Sequence, residues 1–234
     1  MEYTLGLALE DYVPVILSSI GMWLLSQMIA QVNKEIGQLA LVGWLLISLG
    51  GLSKATWKLI MSLSNGTQDI VMLDNLLFIL LGPGFVFMTY ALWCAYRIVT
   101  EKSRPGVWVV PVGITAVFTL PALFTAFTQP DSRIWFFILL AMTTLGNLGL
   151  GILLIRQLLF LKRPWIAVLF GINLVTIFML SGMARIPDQT IPLQWTEQIV
   201  NTLSQGAFAF ASWQLAKVMV QTAVSTNMRK SMMD

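Results

Sequence analysis

Residues 84–90 of the chain read GFVFMTY, and residues 207–213 read AFAFASW. In both stretches a small residue precedes two phenylalanines spaced two apart, and a hydroxyl-bearing residue followed by a large aromatic residue closes the stretch. The offset is 123 residues (207 minus 84), and Asp74 and Glu197 are separated by the same interval. The third hydrophobic segment of the chain is therefore echoed by the seventh.

Two further pairs of segments match at nearly the same spacing. Trp44 and Trp165 are 121 residues apart (165 minus 44), and residues 18–21 (SSIG) correspond to residues 143–146 (TTLG) at an offset of 125 (143 minus 18). Three consecutive segments that match three later ones predict an internal repeat, with a three-helix unit, a linker helix and the unit again. The predicted boundaries are residues 5–99 for repeat one, 107–127 for the linker helix and 133–224 for repeat two.

The composition indicates a membrane protein. The chain is 57% hydrophobic and 11% charged, with a mean hydropathy of +0.78, whereas soluble domains carry about 25% charged residues. A helix that crosses a bilayer needs about 20 mostly apolar residues. Seven stretches satisfy this requirement: Leu5–Val32, Gly37–Leu63, Ile70–Val99, Val107–Phe127, Arg133–Leu161, Pro164–Ala184 and Glu197–Val224. We therefore predict an all-α bundle of seven membrane-spanning helices, in which the whole chain, residues 1–234, forms one transmembrane domain.

The distribution of Lys and Arg predicts the orientation of the bundle. If the N-terminus lies outside, ten of the 14 basic residues fall on the inner side, as the positive-inside rule requires. These ten are Lys34, Arg97, Lys102, Arg104, Arg156, Lys162, Arg163, Lys217, Arg229 and Lys230. Most acidic residues fall outside, together with Lys54, Lys58, Arg133 and Arg185. We expect an integral protein of the plasma (inner) membrane with its C-terminus in the cytoplasm.

The residue inventory excludes several classes of chemistry. The chain has no histidine and a single cysteine, Cys94, which removes most imidazole metal sites, His-ligated haem, Ser-His-Asp triads and any intramolecular disulfide. No catalytic pair can be named, so we expect no enzyme, no metal and no cofactor. A basic stripe interleaved with aromatic residues is also absent, which argues against nucleic-acid binding.

A helix break interrupts the third segment at Gly82-Pro83-Gly84. Proline removes a backbone hydrogen bond and the flanking glycines permit a bend. The corresponding place in the second repeat is Gln205-Gly206, again small and polar among apolar neighbours. Paired helix interruptions are typical of transporter sites, and we predict a ligand site here, between the third and seventh segments. The alternative is a packing kink, because small residues also let membrane helices approach closely.

Other polar and aromatic residues are expected to face the bundle interior. Asn147 and Asn173 lie in the middle of the fifth and sixth segments, and Gln214 lies in the seventh. An amide within a bilayer must find a partner, so these residues either line a polar cavity or join neighbouring helices. Tyr90 and Trp213 are repeat-related and lie deep enough to contact a flat apolar ligand, although aromatic residues at such positions more often belong to a core.

Three charged residues lie near the predicted outer end of the bundle: Lys54, Asp74 and Glu197. As a group they predict a charged vestibule that would set the sign of an entering ligand. The alternative is that Lys54 extends along its aliphatic stem to the headgroups, with nearby carboxylates as counter-charges.

Lys217 lies twelve residues before Arg229, about 18 Å along a helix. A lysine at mid-membrane on the last of seven helices resembles the retinal-binding lysine of microbial rhodopsins. That resemblance implies a retinal cofactor on Lys217. Trp213, however, stands where those proteins keep a carboxylate.

The plan of three helices, a linker and three helices resembles the transporter–opsin–receptor superfamily, which includes SWEET and PQ-loop sugar transporters as well as microbial rhodopsins. The resemblance covers the whole chain but is architectural, and the Pro-Gln pair of the PQ-loop group is absent from the first and fifth segments. It implies a small-molecule carrier or ligand-binding protein. The alternatives are a non-catalytic, receptor-like or accessory subunit of a larger membrane complex and a retinal-type photoreceptor. The expected partners are the lipid bilayer and either a small ligand or other membrane subunits.

Overall fold

The computed structural model describes residues 4–100, 106–183, 186–188 and 190–231, with side chains as far as residue 218. Eight helices occupy this part of the chain: α1 (Leu5–Glu10), α2 (Tyr12–Val32), α3 (Lys34–Leu63), α4 (Val71–Val99), α5 (Val109–Thr128), α6 (Ile134–Phe160), α7 (Pro164–Met183) and α8 (Ile191–Ser231). No strand occurs within these ranges. Of the charged residues used to predict the orientation, Lys102, Arg104 and Arg185 lie outside them.

The predicted all-helical architecture is confirmed. Six spans are long and apolar enough to cross a membrane, the first formed by α1 and α2 together and the others by α3, α4, α5, α6 and α7. Helix α8, which corresponds to the seventh predicted segment, is 41 residues long but less apolar than the others. The sequence did not predict the short break at Asp11 between α1 and α2.

Local sequence explains where several helices begin and end. The Asn33 side chain accepts hydrogen bonds from the backbone N–H groups of Glu35 and Ile36 at 3.0 and 3.2 Å, so one residue both ends α2 and caps α3. After α3, Asn65 and Gly66 adopt positive φ angles of 49° and 79°. The Gly66 N–H donates to the Met61 carbonyl at 2.8 Å, which is the Schellman arrangement that stops a helix and turns the chain.

The long helices form a closed ring. Going round, α2 contacts α3, α3 contacts α4, α4 contacts α6, α6 contacts α7, α7 contacts α8, and α8 returns to α2. Helix α5 lies outside the ring against α4 and α6, and buries only Pro111 and Ala122. The main apolar core, which includes Leu25, Met88 and Phe170, fills the ring.

Small residues set the closest helix approaches. A methyl group on Gly43 of α3 would lie 2.9 Å from the backbone carbonyl oxygen of Gly84 on α4, so side chains are excluded where these helices cross. Two other approaches join a glycine to a phenylalanine. A methyl group on Gly21 would lie 2.6 Å from the Phe208 ring, and one on Gly146 would lie 2.8 Å from the Phe85 Cβ.

Candidate functional site

A polar cavity of about 320 Å³ lies where five helices of the ring converge. Its polar lining comes from the start of α2, the second half of α3 and the first half of α8, and single leucines from α4 and α7 close the opposite wall. We call this space the polar cavity. The residues that line it are Asp11, Pro14, Val15, Ser18, Gly51, Lys54, Ala55, Lys58, Leu77, Leu180, Glu197, Gln198, Asn201 and Gln205.

Helix α8 supplies one wall of the polar cavity through a stripe of polar side chains. Glu197, Gln198, Asn201 and Gln205 recur at the three- and four-residue spacing that places side chains on one face of a helix. From Glu197 to Gln205 the helix rises about 12 Å. The cavity therefore extends well into the bundle from the end at which α2 and α8 begin.

At one end of the polar cavity, an ion pair connects α3 to the joint between α1 and α2. The Lys58 Nζ lies 2.7 Å from one Asp11 carboxylate oxygen and 2.9 Å from the other. The Lys58 and Asp11 side chains are only 17% and 12% exposed. The Gln198 side-chain amide also donates to Asp11, so this carboxylate connects three parts of the ring.

A second ion pair, between Lys54 of α3 and Asp74 of α4, lies nearer the surface. Its side chains are 29% and 38% exposed, and the Lys54 Nζ stands 4.0 Å from the centre of the Trp57 ring. The Trp57 indole N–H in turn donates to Asp69 at 2.8 Å. These contacts hold the Lys54 ammonium at the rim of the polar cavity.

Two acceptor atoms of the cavity wall have no hydrogen-bond partner among the described residues. They are Glu197 Oε1 and Gln198 Oε1, and both are buried. Buried polar atoms in folded proteins nearly always have a partner in the protein, in ordered water or in a ligand. The cavity can therefore accept hydrogen bonds from a molecule that enters it, whereas both lysines already face carboxylates.

The structure brings together four of the predicted site residues. Lys54, Glu197 and Gln205 line the polar cavity, and Asp74 lies beside it as the ion-pair partner of Lys54. Lys54, Asp74 and Glu197 are the three charged residues that the sequence predicted as an outer vestibule. Gln205 is the amide that the sequence predicted at the ligand site of the second repeat.

The Gly82-Pro83-Gly84 break lies outside the polar cavity, packed between neighbouring helices. A methyl group on Gly82 would meet Met142 and Thr143 of α6, and one on Gly84 would meet Ile47 and Gly43 of α3. Helix α4 continues through Pro83 without interruption. Helices α4 and α8 are not among the pairs that pack extensively within the described residues, so the structure does not bring Gln205 to the proline break.

The remaining predicted ligand residues are dispersed. Asn173 donates to the Ser204 hydroxyl of α8 at 3.0 Å, which is a contact between helices. The buried Tyr90 hydroxyl donates to the Gly106 carbonyl at 2.9 Å. Asn147 and Gln214 are half-buried, and Trp213 is exposed. None of the five lines the polar cavity.

Lys217 is exposed, and its Nζ lies 3.4 Å from the centre of the Trp213 ring. A retinal Schiff base requires a lysine that points into an enclosed interior pocket. The observed contact places the ammonium on the outer surface of α8, which does not favour the retinal alternative.

Sequence reasoning missed Asp11, Lys58, Gln198 and Asn201. The available signal was the spacing of polar residues on segment seven, since positions 194, 197, 198, 201 and 205 recur on one helical face. Lys58 and Asp11 are also charged residues within predicted apolar segments, close to the ends of those segments.

No group of three or more potential metal-ligating side chains occurs among the described residues. Comparison of the chain with protein-family models, with curated proteins and with solved structures found no match.

Proposed function

We propose that this chain is a membrane protein that binds a small polar molecule in the polar cavity, as a carrier or ligand-binding protein. The observation that carries the proposal is a cavity with two buried acceptor atoms, Glu197 Oε1 and Gln198 Oε1, that lack a partner among the described residues. Its volume, about 320 Å³, corresponds to a small molecule at the lower end of the range of ligand pockets.

The lining charges indicate the class of ligand. Lys54 and Lys58 each face a carboxylate, so the polar cavity offers no excess of cations to an anionic ligand. Glu197 adds a carboxylate, and Gln198, Asn201 and Gln205 add amides. This set suits a neutral or amine-bearing molecule with several N–H or O–H donors.

We further propose α8 as a seventh membrane-spanning helix, with the N-terminus outside. Its low mean hydropathy has a physical explanation, because its polar stripe faces the cavity and its neighbours α2 and α7 rather than lipid. At 41 residues it is about 60 Å long, more than a bilayer requires. The repeat and the likeness to the transporter–opsin–receptor plan belong to the same proposal.

The experiment is a thermal-stability screen of the purified protein against amino acids, amines, polyols and sugars. A ligand of the polar cavity should raise the midpoint of unfolding of the wild-type protein. The Gln205→Leu variant should lose that increase, because the substitution removes a donor and an acceptor from the cavity wall. Thr196→Val is the matched control, since Thr196 lies exposed on the same helix, outside the cavity, and its hydroxyl donates to the Pro192 carbonyl.

Two outcomes would contradict the proposal. One is a screen in which no compound stabilises the wild-type protein. The other is a stabilising compound whose effect is lost equally in Thr196→Val and Gln205→Leu. Uptake of a stabilising compound into proteoliposomes would then distinguish a carrier from a protein that only binds.

The alternative of an accessory subunit is favoured by two observations. The Asn173 amide is used for a contact between helices, with Ser204, rather than for a cavity, and α5 leaves most of its apolar surface uncovered. A stable partner protein that co-purifies in mild detergent would support this alternative.

A further inference from the structure

The described side chains around the polar cavity carry more negative than positive charge. Lys54 and Lys58 supply two ammonium groups, whereas Asp11, Asp74 and Glu197 supply three carboxylates. Each lysine forms an ion pair with its own aspartate, Lys58 with Asp11 and Lys54 with Asp74. Glu197 is therefore the carboxylate of this group that has no ion pair among the described residues.

The surroundings of Glu197 do not make up for the missing cation. The charge of Lys58 acts on Glu197, but the Lys58 Nζ lies 2.7 and 2.9 Å from the two carboxylate oxygens of Asp11. Glu10, which precedes Asp11, adds a further carboxylate against α8. It accepts from the neutral Thr202 hydroxyl, and its second oxygen is buried without a hydrogen-bond partner among the described residues. A further cation would offset this excess of negative charge.

The Gln198 side chain can only accept a hydrogen bond from a ligand. Its amide nitrogen donates to Asp11, and an ionised carboxylate fixes the amide in this orientation because it has no proton to donate. The amide oxygen, Gln198 Oε1, is buried without a partner among the described residues, and so is Glu197 Oε1. Both unused atoms of the cavity wall are therefore acceptors, and one of them belongs to a carboxylate.

A protonated amine matches this pair of acceptors. An ammonium group has three N–H donors, no acceptor and a positive charge, and hydrogen bonds to ionised groups are about twice as strong as those between neutral groups. A neutral donor would satisfy the hydrogen bonds but leave the charge of Glu197 uncompensated in a partly enclosed site. An anion would add to the excess of negative charge.

The apolar part of the lining suits a short hydrocarbon body. It consists of Pro14, Val15, Ala55, Leu77 and Leu180. Hard metal ions such as Ca²⁺ and Mg²⁺ take about six or more oxygen ligands, which these walls do not provide. Methylene groups, in contrast, gain from contact with them. A volume of about 320 Å³ limits the ligand to a small molecule.

We propose that the polar cavity binds a small organic monoamine in its protonated form. The ammonium group donates to Glu197 Oε1 and Gln198 Oε1, and the hydrocarbon body packs against Leu77 and Leu180. Glu197 is the residue that determines specificity for a positive charge. This inference rests on the proposed function and narrows its ligand class from neutral or amine-bearing molecules to cationic ones.

The test compares amines with diols of the same length through thermal unfolding of the purified wild-type protein at pH 7, where aliphatic amines are protonated. The pairs are ethanolamine with ethylene glycol, 3-amino-1-propanol with 1,3-propanediol, and 5-amino-1-pentanol with 1,5-pentanediol. In the pair that stabilises most, the amine should bind at least about tenfold more tightly than the diol, because only the amine neutralises Glu197. Sodium chloride at the same concentrations should leave the unfolding midpoint unchanged.

The outcomes separate this inference from the proposed function. A diol or a sugar that binds as tightly as the best amine would overturn the amine proposal and leave a polar-ligand site in place. Equal stabilisation by sodium chloride would overturn it in favour of an inorganic cation. Failure of every compound to stabilise the wild-type protein would overturn both proposals. None of these comparisons depends on whether a variant folds.

Glu197→Gln tests the specificity residue itself, because it removes the charge and keeps the shape of the side chain. Amine binding should weaken at least about tenfold, whereas the ligand-free unfolding midpoint should not fall, since no ion pair of the described residues is lost. Asp188→Asn is the matched control: Asp188 is an exposed carboxylate just before α8 and lies outside the cavity. A less stable Glu197→Gln protein that still prefers the amine to its diol would show that Glu197 serves the fold, and would overturn the proposal.

Discussion

At the scale of single residues, the polar cavity is organised by how its few charged side chains are paired. Asp11 lies at the joint of α1 and α2 and receives both the Lys58 ammonium and the Gln198 amide. It therefore links α3 and α8 to the start of α2. Asp74 receives only the more exposed Lys54 in the contacts described above. The two ion pairs should differ in their contribution to stability because they differ in burial.

Asp11→Asn should destabilise the protein by about 3 kcal/mol, because it leaves the largely buried Lys58 ammonium without its facing carboxylate. Asp74→Asn should cost about 1 kcal/mol or less, since solvent screens the more exposed pair. The free energy of unfolding of both variants and of the wild-type protein, measured in detergent, shows which substitution costs more stability. A larger loss in Asp74→Asn would contradict the burial of the Asp11–Lys58 pair.

The sequence singled out three of the residues that line the polar cavity for a clear physical reason. Lys54, Glu197 and Gln205 are polar residues within apolar segments, and such residues require a partner. Whether that partner is a ligand or another helix depends on the rotation of each helix, which a single sequence specifies poorly. Asn173 carried the same kind of signal as Gln205, yet the structure uses it in a contact between helices. Gly82, predicted as part of a helix break, also packs against a neighbouring helix.

At the scale of helices, boundaries followed the sequence closely because apolar length and capping residues are local properties. The third predicted segment, Ile70–Val99, corresponds to α4 at Val71–Val99, and the fifth, Arg133–Leu161, to α6 at Ile134–Phe160. The seventh predicted segment, Glu197–Val224, is shorter than α8, Ile191–Ser231, because the residues that the prediction omitted at both ends include polar side chains that interrupt an apolar stretch. Contacts between helices were the less predictable part.

Repeat-equivalent residues meet at two contacts between helices. Gly21 and Gly146 are equivalent positions in the predicted repeat, and so are Phe208 and Phe85. In the structure Gly21 approaches Phe208 where α2 meets α8, and Gly146 approaches Phe85 where α4 meets α6. The same pair of residue types therefore occurs at both junctions between the predicted halves.

Gly21→Ala and Gly146→Ala should each destabilise the protein, by about 1–3 kcal/mol, because the added methyl group would overlap the facing phenylalanine. Gly171→Ala on α7 is the control: nothing lies within 4 Å of its added methyl group, and alanine favours a helix over glycine by about 1 kcal/mol. Its midpoint of unfolding should stay the same or rise. If only one of the two variants, Gly21→Ala or Gly146→Ala, lost stability, the two junctions would not have equivalent roles.

At the scale of the whole molecule, the polar cavity includes Leu77 of α4, and a second cavity, lined by Arg97 and Arg156, lies 20 residues or about 30 Å further along α4. That separation matches the thickness of the hydrocarbon core. A bundle that spans the membrane would present the polar cavity to one side and the cavity lined by Arg97 and Arg156 to the other. The charge distribution predicts the side of the membrane on which each end lies, and labelling can measure it directly.

Topology can be tested by labelling single cysteines from each side of the membrane, in a Cys94→Ala background. Thr67→Cys, between α3 and α4, and Asp188→Cys, before α8, should react only from outside. Lys162→Cys, after α6, should react only from the cytoplasm, because the basic residues concentrate on that side. A tag fused after Asp234 should be cytoplasmic as well if α8 spans the membrane. A tag on the same side as Asp188→Cys would leave six spanning helices, and inverted labelling at all three cysteines would reverse the orientation.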